Sequence, residues 1–140
     1  LDIEHCAHYA ASPIFMQPRS AASAAAFEEF LNRPNNGVWL ALEGERPVGF
    51  IQFEAGSFGA AEVVRAPDTI AITGAYVRPE YRGRRLAAAI LDGALRDYAS
   101  RGFERCSVDF ESSNPEAAHF WVKYFRPVCY SVTRVPESTL

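Results

Sequence analysis

Between residues 69 and 102 the apolar side chains switch from strand spacing to helix spacing within a few positions. Thr69 to Val77 is rich in strand formers, with Ile70, Ile72, Tyr76 and Val77, and Gly74 marks a bulge. From Leu86 onward, Leu86, Ile90, Leu91, Ala94, Leu95 and Tyr98 recur on one helical face, and Gly102 supplies the stop. A strand that runs through one short turn into a long helix is a building block of mixed α/β domains.

The flanking segments agree. Leu1 to Ala10 reads as a short helix ended by Ser12-Pro13, and Ser20 to Asn32 as a second. Asn35-Asn36-Gly37 is turn chemistry. Val38 to Leu42 and Val48 to Phe53 are apolar runs around Glu43-Gly44-Glu45-Arg46-Pro47, which predicts a hairpin. Gly56 to Asp68 reads as a loop or frayed excursion. Arg105 to Phe110 reads as a fourth strand. Asn114-Pro115-Glu116 starts another helix, with an N-cap, a proline in the first turn and an acid near the N-terminus. Pro127 to Val135 is read as a last strand.

Composition narrows the function classes. A chain of 140 residues with 49% apolar and 22% charged residues has the profile of one globular domain and not of a disordered segment. The net charge of −3 argues against coating nucleic acid or an anionic membrane. No apolar run approaches the ~18 residues of a spanning helix. Cys6, Cys106 and Cys129 form no C-x-x-C pair, and neither they nor His5, His8 and His119 have the spacing of a metal site. His5 and His8 are read as solvated. A reducing, cytoplasmic setting is the simplest reading, and no signal peptide is recognised.

The chemistry concentrates in Ala75-Tyr76-Val77-Arg78-Pro79-Glu80-Tyr81-Arg82-Gly83-Arg84-Arg85-Leu86-Ala87. A helix N-terminus leaves backbone N–H groups unsatisfied and carries about half a positive charge. Arg82, Arg84 and Arg85 crowd that end, where each cation costs about 0.3–1 kcal/mol if exposed. The arrangement is rational if an anion sits there, and a pyrophosphate spans several N–H groups at once. Gly83 lets the backbone approach it. The competing reading is a solvated basic turn.

On these residues the chain resembles the GNAT superfamily of acetyl-CoA-dependent N-acetyltransferases. The family's acyl-CoA signature, (Gln or Arg)-x-x-Gly-x-(Gly or Ala), follows a strand ending in Val-x-Pro. Here Val77-Arg78-Pro79 precedes Arg82-Gly83-Arg84-Arg85-Leu86-Ala87. Arg82 and Ala87 match the first and last positions, while Arg85 replaces the middle glycine. A second match is a strand, then Asn114, then a helix beginning Pro115-Glu116-Ala117 and continuing Phe120-Trp121. The resemblance covers Val38 to Val135.

It implies a central, mostly antiparallel sheet flanked by helices, with one splayed parallel strand pair. The family usually opens with a further strand, which is not recognised here. Residues 1–140 are therefore expected to be a single domain that lacks that strand or is excised from a longer chain, since residue 1 is Leu1 and not Met. Acetyl-CoA is the implied cosubstrate, with no metal. Its pantetheine would pair with Ala75, Tyr76 and Val77, and its pyrophosphate would rest on Gly83 to Ala88. Cofactor contacts are thus expected from Arg82, Gly83, Arg84, Arg85, Leu86, Ala87 and Ala88. Asn114 would reach the pantetheine, or simply cap its helix.

The implied reaction is direct attack of a primary amine on the thioester in a ternary complex. An alkylamine has a pKa of about 10.4, so it must first lose a proton. Asp109 occupies the position expected for the carboxylate base, and Glu111 is the second choice; each also reads as a solvated strand-end acid. The oxyanion would lie near the Val77 N–H. The family's acid is a tyrosine at the position held here by Trp121, so Tyr124 becomes the first candidate, with Tyr130 and His119 behind it. A thiol pKa of about 8.5 makes that proton the less demanding one. Two other readings are a domain that binds acyl-CoA without turnover and a nucleotide-phosphate binder; the second lacks a Gly-x-x-x-x-Gly-Lys-(Ser or Thr) loop. The acceptor is not readable. Exposed edge strands are compatible with a homodimer.

Overall fold

The computed structural model describes residues 1–13, 19–56 and 59–131. The elements in chain order are α1 (Asp2–Ala10), α2 (Ala24–Asn32), β1 (Gly37–Glu43), β2 (Arg46–Ala55), β3 (Thr69–Val77), α3 (Leu86–Ser100), β4 (Arg105–Val108) and α4 (Pro115–Tyr124). Short 3-10 turns lie at Gly59–Val64 and Pro79–Tyr81.

The four strands form one sheet in the order β1-β2-β3-β4. The first two junctions are antiparallel, and β3 pairs with β4 in parallel. Glu43 and Arg46 close the predicted hairpin. Gln52 faces Gly74 while Phe53 faces Ile72, so Thr73 falls outside the register and the bulge sits beside the glycine that marks it.

Side-chain alternation gives the sheet two unlike faces. Ile51, Phe53, Ile70 and Ile72 project toward Ile90, Leu91, Ala94 and Tyr98 of α3 and Trp121 of α4, all buried in one cluster. Each fully buried side chain of this kind stabilises the fold by about 1.5–3 kcal/mol. On the opposite face Phe50 and Tyr76 pair across β2 and β3 and lie under α1, whose His5 ring contacts both.

The structure corrects several expectations. The second helix begins at Ala24, because the Ser23 hydroxyl accepts from the Ala26 N–H and fixes the cap there. β4 ends at Val108 and not at Phe110, since its ladder stops where β3 moves away. The excursion from Gly56 to Asp68 contains the 3-10 turn. Residues 127–131 of the expected last strand form no strand, and residues 132–135 lie outside the described residues. Val128 and Tyr130 are exposed there, so this stretch buries nothing that would hold it in a ladder. His5 is buried at 3% exposure, where a solvated histidine was expected. The rings beneath α1 supply its surroundings.

Among the described residues no helix is long and apolar enough to cross a membrane.

Candidate functional site

β3 and β4 run side by side only from Thr69/Arg105 to Ile72/Val108. Beyond that point β3 continues to Val77 while β4 has ended. The edge of β3 from Thr73 to Val77 therefore has no strand partner on its β4 side among the described residues. Unpaired backbone of this kind holds an extended amide-bearing chain readily.

The turn after β3 aims backbone donors into the same space. Gly83 and Arg85 both adopt left-handed backbone, at φ 75° and 61°. Arg85 holds the N-cap position of α3, and no side chain caps that end. The first helical bond that closes runs from Ala89 N–H to the Arg85 carbonyl, at 3.0 Å. The amides of Leu86, Ala87 and Ala88 thus precede the hydrogen-bonded part of the helix and point along its axis. Left-handed residues alternating with ordinary ones form an anion-binding concavity. Arg85 supports a conformation that costs a non-glycine residue about 1–2 kcal/mol.

The arginines divide their labour. Arg82 donates from Nε to the Val77 carbonyl at 3.0 Å, and from Nη1 to both carboxylate oxygens of Glu116 at 2.8 and 2.7 Å. Its guanidinium ties the end of β3 to the start of α4 across the gap. Arg84 lies over the Tyr81 ring at 5.0 Å, and its side chain is exposed. Arg78 forms a two-pronged pair with Glu4 of α1 at 2.9 and 2.8 Å. His8 Nε2 lies 3.7 Å from Glu116, so α1 and α4 meet over the opening.

These elements enclose a cleft of about 1060 Å³. Ala75, Tyr76, Val77, Arg82, Gly83, Arg85, Leu86, Ala87 and Ala88 line it, and so do Asp109, Glu111, Asn114 and Tyr124. Of the candidate residues only Arg84 and Tyr130 do not, and Tyr130 is 82% exposed beyond α4. Asn114 caps α4, its Oδ1 accepting from Glu116 N–H at 3.1 Å and Ala117 N–H at 3.3 Å. Asp109 is exposed at the point where the strands part. Glu111 lies past the end of β4, so strand alternation no longer places it on Asp109's face. Tyr124 is 42% exposed, whereas Trp121 is 6% exposed and belongs to the core. His119 also lines the cleft. Among the described residues no cluster of His, Cys, Asp and Glu could hold a metal.

Sequence reading missed the wall formed by α1, where His5, His8 and Tyr9 face the cleft together with Arg19. Their helical spacing was the available signal. Burial, helped by the charge of Arg19, lowers the His5 pKa from 6.5 to about 4; His8 pulls it the same way and Asp2 opposes. The unfolded chain therefore binds a proton between those values that the folded chain refuses. His5's contribution to stability is complete above pH 6.5 and is lost as the pH falls toward 4. Thermal melts across this window are expected to show a steeper fall in Tm for the parent than for His5→Phe. Parallel curves would remove His5 as the source.

The comparisons with known proteins agree with this geometry. No curated protein matches the chain significantly. Among solved structures it is similar to aminoglycoside N-acetyltransferase AAC(6')-Iy in complex with CoA, at 17% identity and a TM-score of 0.68 over 81% of this chain and 84% of that one. It is also similar to an aminoglycoside acetyltransferase from an uncultured soil metagenomic sample, at 18% identity and a TM-score of 0.65 over 86% and 80% of the two chains. A third is a ribosomal-protein-alanine N-acetyltransferase from Brucella melitensis biovar Abortus 2308, at 16% identity and a TM-score of 0.58 over 78% and 74%. At these identities the likeness is one of fold. The family model described as acetyltransferase (GNAT) family matches residues 5–125, nearly the whole described length. A parallel strand pair that parts beside an uncapped helix start is thus the frame of an acetyltransferase, and this chain belongs to the GNAT acetyltransferase family.

Proposed function

We propose that residues 1–140 work as one domain that transfers the acetyl group of acetyl-CoA to a primary amine by direct attack. The observation that carries this reading is the continuity of the cleft. One space joins the uncapped amides of Leu86, Ala87 and Ala88 to the parting of β3 and β4, where Asp109 stands.

In this reading the diphosphate lies on the start of α3, and the pantetheine runs along the free edge of Ala75, Tyr76 and Val77. The Asn114 side-chain N–H₂ donates toward it, since its carbonyl oxygen is used in the cap. The thioester then reaches the parting point. Asp109 takes the ammonium proton, directly or through water, and the free amine attacks the carbonyl carbon. The C–N bond forms first, giving a tetrahedral oxyanion beside the Val77 N–H; the nitrogen gives up its second proton to water, and the C–S bond then breaks as CoA thiolate departs. Tyr124 is the nearest replacement for the buried Trp121 as a proton donor. Glu111 is the reserve base.

Similar folds in known enzymes act on aminoglycosides and on a ribosomal protein alanine, so the fold leaves the acceptor open. The experiment is thiol release from acetyl-CoA against a panel of primary amines. A positioned base contributes about 10²–10⁴-fold. Asp109→Asn is expected to lower kcat by about 100-fold at neutral pH with little change in CoA affinity. Identical pH–rate profiles for variant and parent would exclude Asp109 as the base.

A further inference from the structure

Next to the cleft a second hollow of about 170 Å³ opens between β3, β4 and the 3-10 turn Gly59–Val64. It shares Ile72, Thr73 and Asp109 with the main cleft, so the two spaces meet where the strands part. Ala71 and Ser107 are register partners one step from Ile72 and Val108. Alternation therefore turns them away from α3 and α4 and toward the face that α1 also covers. The hollow thus lies on the other side of the sheet from the hydrophobic core.

Its walls are small and its rim is polar. Ala61 and Ala71 are 6% and 3% exposed and form the apolar part. Gly59 brings the turn against Asp109: it is left-handed, and a Cβ there would sit 2.2 Å from the Asp109 carboxylate. Thr73 Oγ1 accepts from Gln52 Nε2 at 3.2 Å, which leaves its O–H to donate.

We infer that this hollow is the acceptor's side-chain pocket, and that it selects primary amines whose substituent is a short alkyl chain bearing an oxygen, as in a small amino alcohol. The inference rests on the acetyl-transfer reading and deepens it. An amine placed at Asp109 stands where the two spaces meet, and the hollow is the small, bounded part of that junction, lined by Ala61, Ala71 and Thr73. A cavity of about 150 Å³ accommodates a benzene ring, so the space here holds about six heavy atoms. Ala61 sets its depth, and the Thr73 hydroxyl meets the substituent's oxygen.

The test uses steady-state kinetics of the parent, Ala61→Val and Ala61→Gly with a homologous series of primary alkylamines and amino alcohols. One methylene in such a pocket changes selectivity by about 10–200-fold. Ala61→Val is expected to raise KM for the longer amines about tenfold relative to the shorter ones. Ala61→Gly is expected to shift the preferred length upward, with KM for acetyl-CoA unchanged in both. If Ala61→Val fails to fold, Ala61→Gly and Thr73→Val decide, the latter by losing the preference for amino alcohols over alkylamines. Unaltered length and oxygen preferences in folded, CoA-binding variants would overturn the pocket alone. A parent that binds CoA yet acetylates no amine would overturn the transfer reading and the pocket with it.

Discussion

Replacing Ala88 with glutamate is expected to cost CoA affinity at least about 100-fold while leaving the domain as stable as the parent, or slightly more so. Ala88 is the third residue of α3, in the turn whose amides have no cap. An acid at this position favours the helix by about 0.3–1 kcal/mol through the macrodipole. The same carboxylate lies among the Leu86, Ala87 and Ala88 amides and repels a diphosphate that needs them. Binding and stability therefore move in opposite directions, which a general structural defect would not produce. Titration calorimetry with CoA and a thermal melt read the two effects. Undiminished affinity would refute the diphosphate placement. Arg82→Glu is a poorer probe, because Arg82 also joins Val77 to Glu116 and its loss would disturb the cleft walls.

Trp121→Ala is expected to destabilise the protein by about 3–5 kcal/mol. The indole is 6% exposed and sits with Ile72, Ile90 and Leu91 in the core cluster; its ring meets Phe120 at 4.8 Å and Phe125 at 5.5 Å. For a domain of this size that lowers Tm by roughly 10 °C or more. Trp121→Phe, which keeps most of the packing, is expected to retain both fold and acetyl transfer. A Trp121→Ala variant with the parent's melting temperature but no activity would instead place Trp121 in the chemistry. The resemblance would put a tyrosine at this position; here the side chain is an indole packed into the core.

The turn after β3 and the uncapped start of α3 were legible because local rules govern them. A strand pattern, a turn with Gly83 and a helix start at Leu86 lie within one continuous stretch, and each is set by neighbouring residues. The hairpin, the Asn114 cap and the Gly74 bulge were readable for the same reason. The expected last strand was misread from its composition. Val128, Cys129 and Tyr130 favour strands, but a strand exists only where another edge receives it, and residues 127–131 pair with no strand among the described residues. β4 was overextended by the same reasoning, since Asp109 and Phe110 continue the alternation past the point where β3 leaves.

The sequence by itself determined the α/β order of elements, the helix start that bears the amide donors, and the residues that line it, since spacing of a few positions is enough to specify these. Only the tertiary structure decided what each charged side chain does. It engaged Arg82 with Glu116, set Arg84 on Tyr81, buried His5 beneath α1 and opened a second hollow beside Asp109. The physical reason is distance along the chain. Hydrogen bonds between residues tens of positions apart, and cavities shared by several elements, depend on how those elements pack, and periodicity carries no information about that.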